Sequence, residues 1–250
     1  MNLTPDLRLD GRVVLVTGAS RGLGRAMALG FAAAGADVVV SSRKLDACEV
    51  VADEIRVMGR RSIAVQCHVG NWDECESLVN AAVAEFGRID VLVNNAGIAP
   101  VPPSITGITE ELFDRTIAVD LKGPVRLTGL VAVHMPAGGS IINISSTASV
   151  RNTPFTAVYG AAKAALNSFG QAAALELGPK GIRVNTIVCG PFLTDSFSKV
   201  VPTPESVVAL AATRALGRIA EPEEIIGTAL FLASDASAYM TGALLALDGG

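Results

Sequence analysis

Val13-Val14-Leu15-Val16-Thr17-Gly18-Ala19-Ser20-Arg21-Gly22-Leu23-Gly24 is the stretch that decides how the chain reads. Its first four residues are a short apolar run between Gly11 and Gly18, the pattern of a strand buried on both faces. An apolar helix then runs to about Gly35. Between strand and helix, the missing side chains of Gly18, Gly22 and Gly24 let the backbone approach a pyrophosphate, and the helix N-terminus aims unpaired N–H groups at its charge. Gly18, Ser20, Arg21, Gly22, Leu23 and Gly24 are therefore candidate dinucleotide contacts. The spacing is G-x-x-x-G-x-G rather than G-x-G-x-x-G, so a plain tight turn is the competing reading. Placement after a buried strand and before a helix favours the nucleotide.

A second buried strand follows at Val38–Ser42 and further strands at Ile63–Gln66, Asp90–Val93, Ser140–Ser145, Ile182–Val188 and Ala243–Leu247, with helical patterns between them, among them Leu45–Met58 and Pro222–Ala233. This alternation predicts an α/β chain with a parallel sheet and helices on both faces. Right-handed crossovers bring the glycine loop to the carboxyl edge of the sheet, where such folds bind ligands. With 250 residues and no repeat, linker or low-complexity tract, a single domain over 1–250 is expected.

The second strand ends Ser41-Ser42-Arg43. An acid at that tip, about 20 residues past the glycines, would hydrogen-bond a free ribose 2′-hydroxyl and select NAD. Here Asp37 lies at the other end of the strand, and Ser42, Arg43 and Arg21 are placed to cradle a 2′-phosphate. NADP is thus the preferred cofactor, with NAD as the other option. Asn94-Asn95-Ala96-Gly97 leaves the fourth strand, either to floor a cofactor groove or as an ordinary strand-exit turn. Ser145-Ser146 ends the fifth strand, and Tyr159 and Lys163, four apart, share one helix face. An ammonium beside a phenol favours phenolate, so this pair predicts a Tyr159 acidic enough to exchange protons with an alcohol or carbonyl.

Half of the chain is apolar and another 25 residues are glycine, above the share usual for a globular domain, which points to self-association. A net charge of −4 and no long basic run argue against nucleic acid or an anionic membrane as the main partner. Cys48, Cys67, Cys75 and Cys189 form neither C-x-x-C nor metal spacing, and read as reduced thiols. Met1–Asp10 is no secretory signal and no window is a membrane span, so the expected setting is the cytoplasm.

From Gly11 to Gly250 the chain resembles the short-chain dehydrogenase/reductase family. The matching segments are Thr17–Gly24, Asn94–Gly97, Ser146 with Tyr159 and Lys163, Cys189-Gly190-Pro191 with Thr194, and Asp248-Gly249-Gly250. The resemblance implies a Rossmann-type doubly wound sheet of about seven parallel strands, hydride transfer with a nicotinamide cofactor and, commonly, a homotetramer. It implies a catalytic role for Ser146, Tyr159 and Lys163, with Lys163 also on the nicotinamide ribose, and cofactor contacts at Asn95, Ala96, Gly97, Pro191 and Thr194. Two positions depart from the family pattern. Asp120 stands where asparagine is usual and helps hold a water that links the lysine to solvent. His68, before Val69, stands where aspartate often meets the adenine amino group. An imidazole acceptor, or the backbone of Val69, is expected to replace it, or else His68 is a bystander.

The reaction expected is NADPH-dependent reduction of a ketone. Enoyl-thioester reductases of similar fold carry six residues between the tyrosine and lysine positions rather than three, so carbon–carbon double bonds are not the expected substrate. Phe192–Arg214, apolar and interrupted by Pro202 and Pro204, reads as a substrate lid or a subunit contact. A 3-oxoacyl-carrier-protein or CoA thioester reductase is the alternative. However, Leu130–Gly139 has no lysine or arginine to dock an acidic carrier. A non-catalytic nucleotide-binding scaffold is the other class, and the intact tyrosine–lysine pair speaks against it.

Overall fold

Side chains of β1 (Val13–Thr17) alternate between two apolar layers: Val14 and Val16 enter one, Val13 and Leu15 the other. The same split recurs in β2 (Asp37–Ser42), β4 (Val91–Asn94) and β5 (Ser140–Ser146), where Val38, Val93 and Ile142 face the first layer and Val39, Leu92 and Ile141 the second. A sheet covered on both faces needs apolar residues at every position, which is why these strands read as continuous runs. The computed structural model describes residues 6–151 and 154–250; residues 1–5, half of the amino-terminal segment read above as no signal, lie outside it.

With β3 (Ser62–Gln66), β6 (Arg183–Cys189) and β7 (Leu244–Leu247) the strands form one seven-stranded parallel sheet in the order β3-β2-β1-β4-β5-β6-β7. Helices α1 (Gly22–Ala33) and α2 (Leu45–Val57) cover the first layer, together with α9 (Ile226–Ala233) from the carboxyl-terminal part of the chain. Helices α3 (Trp72–Phe86), α5 (Gly123–Val131) and α6 (Ala157–Leu177) cover the second. Helix α4 (Glu110–Ile117) packs on α6. This is the doubly wound Rossmann-type architecture.

The strand order reverses between β1 and β4, which opens a crevice at their carboxyl ends. Register aligns those ends. Thr17 lies beside Ser41, Asn94 beside Asn143, and Ser146 beside Cys189. The glycine loop, the Asn94–Gly97 exit and the Ser145-Ser146 exit therefore share one edge of the sheet.

Two segments differ from the sequence reading. Pro222–Ala233 is not one helix: Pro222–Ile225 is a 3-10 turn, and α9 starts at Ile226. The Glu224 carboxylate reaches back to the Glu221 N–H at 2.8 Å while Arg218 grips it at 2.6 and 2.7 Å, tightening the first turn. Between Phe192 and Arg214 there are two short helices, α7 (Asp195–Val200) and α8 (Pro204–Ala211), capped by Thr194 and Thr203. Pro204 begins α8 at a position where its missing N–H costs nothing. Among the described residues no helix is long and apolar enough to cross a membrane.

Candidate active site

The glycine loop is held to the β4 exit by one threonine and one asparagine. Thr17 Oγ1 donates to Val93 O at 3.1 Å and accepts from the Asn95 and Ala96 N–H groups at 3.1 Å each. Asn95 Nδ2 donates to Thr17 O at 2.7 Å. Gly18 turns at φ +66°, and a Cβ there would stand 2.9 Å from Ala96 Cα. So tight a seam leaves the loop backbone bare. Arg21 flanks the start of α1 without a side-chain cap, and the first turn of α1 carries no acid. The unpaired N–H groups of that turn fit an anion. Thr194, at the start of α7, brings its methyl within 3.3 Å of a Gly22 Cβ position, and a cleft of about 370 Å³ opens there beside Arg25, Asp195 and Pro222.

Around the adenosine end the cations differ. Arg43 is exposed and makes no ion pair or side-chain hydrogen bond with a described residue. Ser42 Oγ lies 3.0 Å from Cys48 Sγ. Arg21 is 3.8 Å from Asp195 of α7, a carboxylate that the sequence reading did not connect with it. His68 Nδ1 accepts from the Gly70 N–H at 3.2 Å. In the neutral ring that leaves Nε2 as a donor, the wrong polarity for an adenine amino group. The imidazole acceptor is thus engaged by its own loop, which leaves the backbone of the buried Val69, or a His68 that is a bystander.

At the other end of the crevice, β5 delivers Ser146, whose Oγ accepts from Ala148 N–H at 3.2 Å in a one-turn 3-10 segment. Asn167 of α6 pins that segment by donating to Ser149 Oγ at 2.8 Å. The first turns of α6 bring Tyr159 and Lys163 alongside, with Lys163 Nζ 5.9 Å from the Tyr159 ring centroid. The Ser146 hydroxyl lies on the same side and lowers the proton affinity of the Tyr159 phenol. Lys163 Nζ donates to Ile144 O at 3.0 Å and pairs with Asp120 Oδ1 at 3.2 Å. Asp120 comes from a π-helical turn, Ala118–Lys122, between α4 and α5, and is fully buried. Asp120 thus meets Lys163 directly, through one of its two oxygens.

These contacts set the proton affinities. Burial raises the Tyr159 pKa above its ordinary value, Lys163 and the Ser146 hydroxyl oppose it, and Asp120 adds to it; the net shift is upward. The acidic phenol expected from the Tyr159–Lys163 spacing is therefore not what the chain alone provides, because burial and Asp120 outweigh the ammonium. Burial pulls Lys163 down, but Asp120 and Tyr159 pull harder, and Lys163 ends up raised. Burial pushes Asp120 up against the pull of Lys163.

A family model described as "Enoyl-(Acyl carrier protein) reductase" matches residues 18–250. The L-rhamnose 1-dehydrogenase (NAD(P)(+)) of a Sphingomonas species is 37% identical over 97% of this chain and 96% of its own length. The 7alpha-hydroxysteroid dehydrogenase of Escherichia coli K12 is 36% identical over 98% and 96%. The chain belongs to the short-chain dehydrogenase/reductase family. A family structure from Burkholderia cenocepacia, solved with NADP, superposes with a TM-score of 0.92 at 31% identity, covering 97% of this chain and 98% of that one.

As a member of that family the protein is an oxidoreductase. Its crevice brings together Gly18, Gly22, Asn95, Ser146, Tyr159, Lys163 and Asp120, whereas Arg21 and His68 are partly engaged elsewhere. Sequence reading missed the Ile144 carbonyl under Lys163, the Asn167 brace and Asp195. A backbone carbonyl carries no residue signature, and Asn167 is one more polar residue on a helix until the fold places it. Asp195 did carry a signal, being an acid directly after a capping threonine.

Proposed function

We propose that the protein is an NADP(H)-dependent enzyme interconverting a ketone and a secondary alcohol, working as a ketone reductase, with NAD(H) a weaker substitute. The observation that carries this reading is the meeting of Ser146, Tyr159 and Lys163 at the sheet edge that also holds the glycine loop and the uncapped start of α1. In this reading Gly18, Ser20, Gly22, Leu23 and Gly24 hold the pyrophosphate, and Arg21, Ser42 and Arg43 the 2′-phosphate. The Val69 backbone beside His68 meets the adenine; Asn95, Ala96, Gly97, Pro191 and Thr194 line the nicotinamide half. The NADP in the Burkholderia relative supports that cofactor. When bound, the dinucleotide supplies the hydride.

The chain's own residues handle the proton. Ser146 Oγ, held by the Ala148 N–H, and Tyr159 Oη donate hydrogen bonds to the substrate oxygen, and Tyr159 Oη releases its proton as charge develops there. A phenol that burial keeps protonated suits that donor role. Lys163 steadies the resulting phenolate, and Asp120 and the Ile144 carbonyl hold Lys163 in place. The enoyl wording of the family model does not transfer in this reading, because three residues, not six, separate Tyr159 from Lys163. The relatives named above act on alcohol or steroid hydroxyl carbons by their names, which supports the carbonyl reading. The absence of lysine and arginine from Leu130–Gly139 speaks for a free ketone or CoA thioester over a carrier-bound one. The segment from Phe192 to Arg214, with α7 and α8, is the proposed lid, and four free, buried cysteines suit a cytoplasmic protein.

The test is NADPH and NADH oxidation over a panel of ketones, oxoacyl thioesters, steroids and sugars. Turnover with NADPH exceeding NADH is expected. Tyr159→Phe should lose about 10²–10⁴ in kcat while NADPH affinity stays within roughly twofold. A Tyr159→Phe variant that turns over at close to the wild-type rate, or a wild type inert to the whole panel, would overturn the proposal.

A further inference from the structure

Asp120 is wholly buried, and only one of its two oxygens is occupied. Oδ1 accepts from the Ile98 N–H at 3.2 Å and from Lys163 Nζ at 3.2 Å, whereas Oδ2 has no partner among the described residues. Gly97 roofs the pair: a Cβ there would stand 2.8 Å from Asp120 Oδ1 and 3.4 Å from Lys163 Nζ. A buried ion pair is a weak source of stability, because desolvation offsets the attraction. Its effect on the crevice is plain. Lys163 by itself would leave a net positive charge beside Tyr159, and Asp120 cancels it. The other ionisable group facing the pair is Cys189, whose thiol is pushed up to about 12 by burial and stays neutral.

We propose that Asp120 sets the preference between the oxidised and reduced forms of the bound dinucleotide. This rests on the reading above, which lays the nicotinamide against Tyr159 and Lys163. The oxidised ring is a cation and the reduced ring is neutral. A crevice with no net charge admits the cation; one carrying an uncancelled ammonium repels it and leaves the neutral ring unaffected. The carboxylate therefore strengthens binding of NADP+ relative to NADPH, and with it the bound equilibrium between alcohol oxidation and ketone reduction.

The experiment is direct titration of the purified protein with NADP+ and with NADPH at pH 7, without substrate. Asp120→Asn is expected to raise the ratio Kd(NADP+)/Kd(NADPH) roughly tenfold, the scale of one unit charge acting across a protein interior. Asp120→Ser carries the same charge change if the asparagine variant does not fold. The double variant Asp120→Asn/Lys163→Met removes both charges and should bring the ratio back near the wild-type value, which loss of packing alone would not do. A ratio that stays put in Asp120→Asn, or one that stays high in the double variant, overturns the proposal while leaving the dinucleotide reading intact. Failure of the wild type to bind either form overturns both.

Discussion

Tyr159 lies between opposed fields, with the Lys163 ammonium and the Ser146 hydroxyl drawing its proton off, and burial and the Asp120 carboxylate holding it on. Holding wins, and the sign has a kinetic consequence. Alcohol oxidation needs the phenolate, so its rate should still be climbing above about pH 9, because the phenol stays protonated through the ordinary tyrosine range. Removing the Asp120 charge removes one of the influences that keep the proton on. Asp120→Asn should therefore shift the alkaline limb of kcat/KM for alcohol oxidation to lower pH, with Lys163 and the neutral Cys189 left as the facing groups. A pH–rate profile of both proteins checks this, and an unmoved or alkaline-shifted limb contradicts it. The residue identities behind this argument were visible in the sequence, as was the departure at Asp120. The dominance of burial over the ammonium was not, because spacing along a helix says nothing about how dry the far side of the pair is.

Among the elements, the strands and the loop after β1 were legible almost to the residue, since burial on both faces writes itself as an unbroken apolar run. What stayed hidden was the irregular helical backbone. The π-helical turn Ala118–Lys122, which turns Asp120 inward, and the 3-10 turn ahead of α9 both depend on contacts far away in the chain or on an ion pair that closes a turn. The seam between α1 and the sheet gives a quantitative check. A Cβ on Gly24 would lie 2.5 Å from Asn95 Nδ2 and closer still to the Gly18 carbonyl oxygen, which is backbone and cannot yield. A Cβ on Gly30 would lie 2.5 Å from Ile226 Cγ2, with Cγ1 and Cδ1 at 3.1 and 3.3 Å, on a branched side chain that is stiff at χ1 in a helix but can shift as a whole. Gly24→Ala should cost about 1–3 kcal/mol by overpacking, lowering the melting temperature by roughly 2–10 °C for a chain of this size. It should also weaken dinucleotide binding, because the loop must move. In Gly30→Ala the gain of about 1 kcal/mol in helix propensity offsets part of the Ile226 crowding, and the melting temperature should fall by less than in Gly24→Ala. Equal losses in the two variants would show that the Gly18–Asn95 seam is not the rigid part.

Across the whole molecule, the sheet ends at β7, which among the described residues pairs only with β6 and leaves its other edge open. Both cores are closed by helices, yet β7 keeps Leu244 40% exposed, and Tyr239 just before it is fully exposed. An open parallel edge with apolar side chains is an association surface unless something covers it. The apolar excess of the composition points the same way, and so does the tetramer implied by family resemblance. If a second copy covers this edge, the protein should sediment as a multimer at micromolar concentration, with four chains as the expected end point. Leu244→Lys places a charge on that edge without touching the crevice. It should lower the oligomeric state in sedimentation velocity while leaving the far-UV circular dichroism unchanged, since the side chain is already partly in solvent. A wild type that runs as a monomer, or a Leu244→Lys protein that assembles as before, would mean that the contact between copies is not at β7.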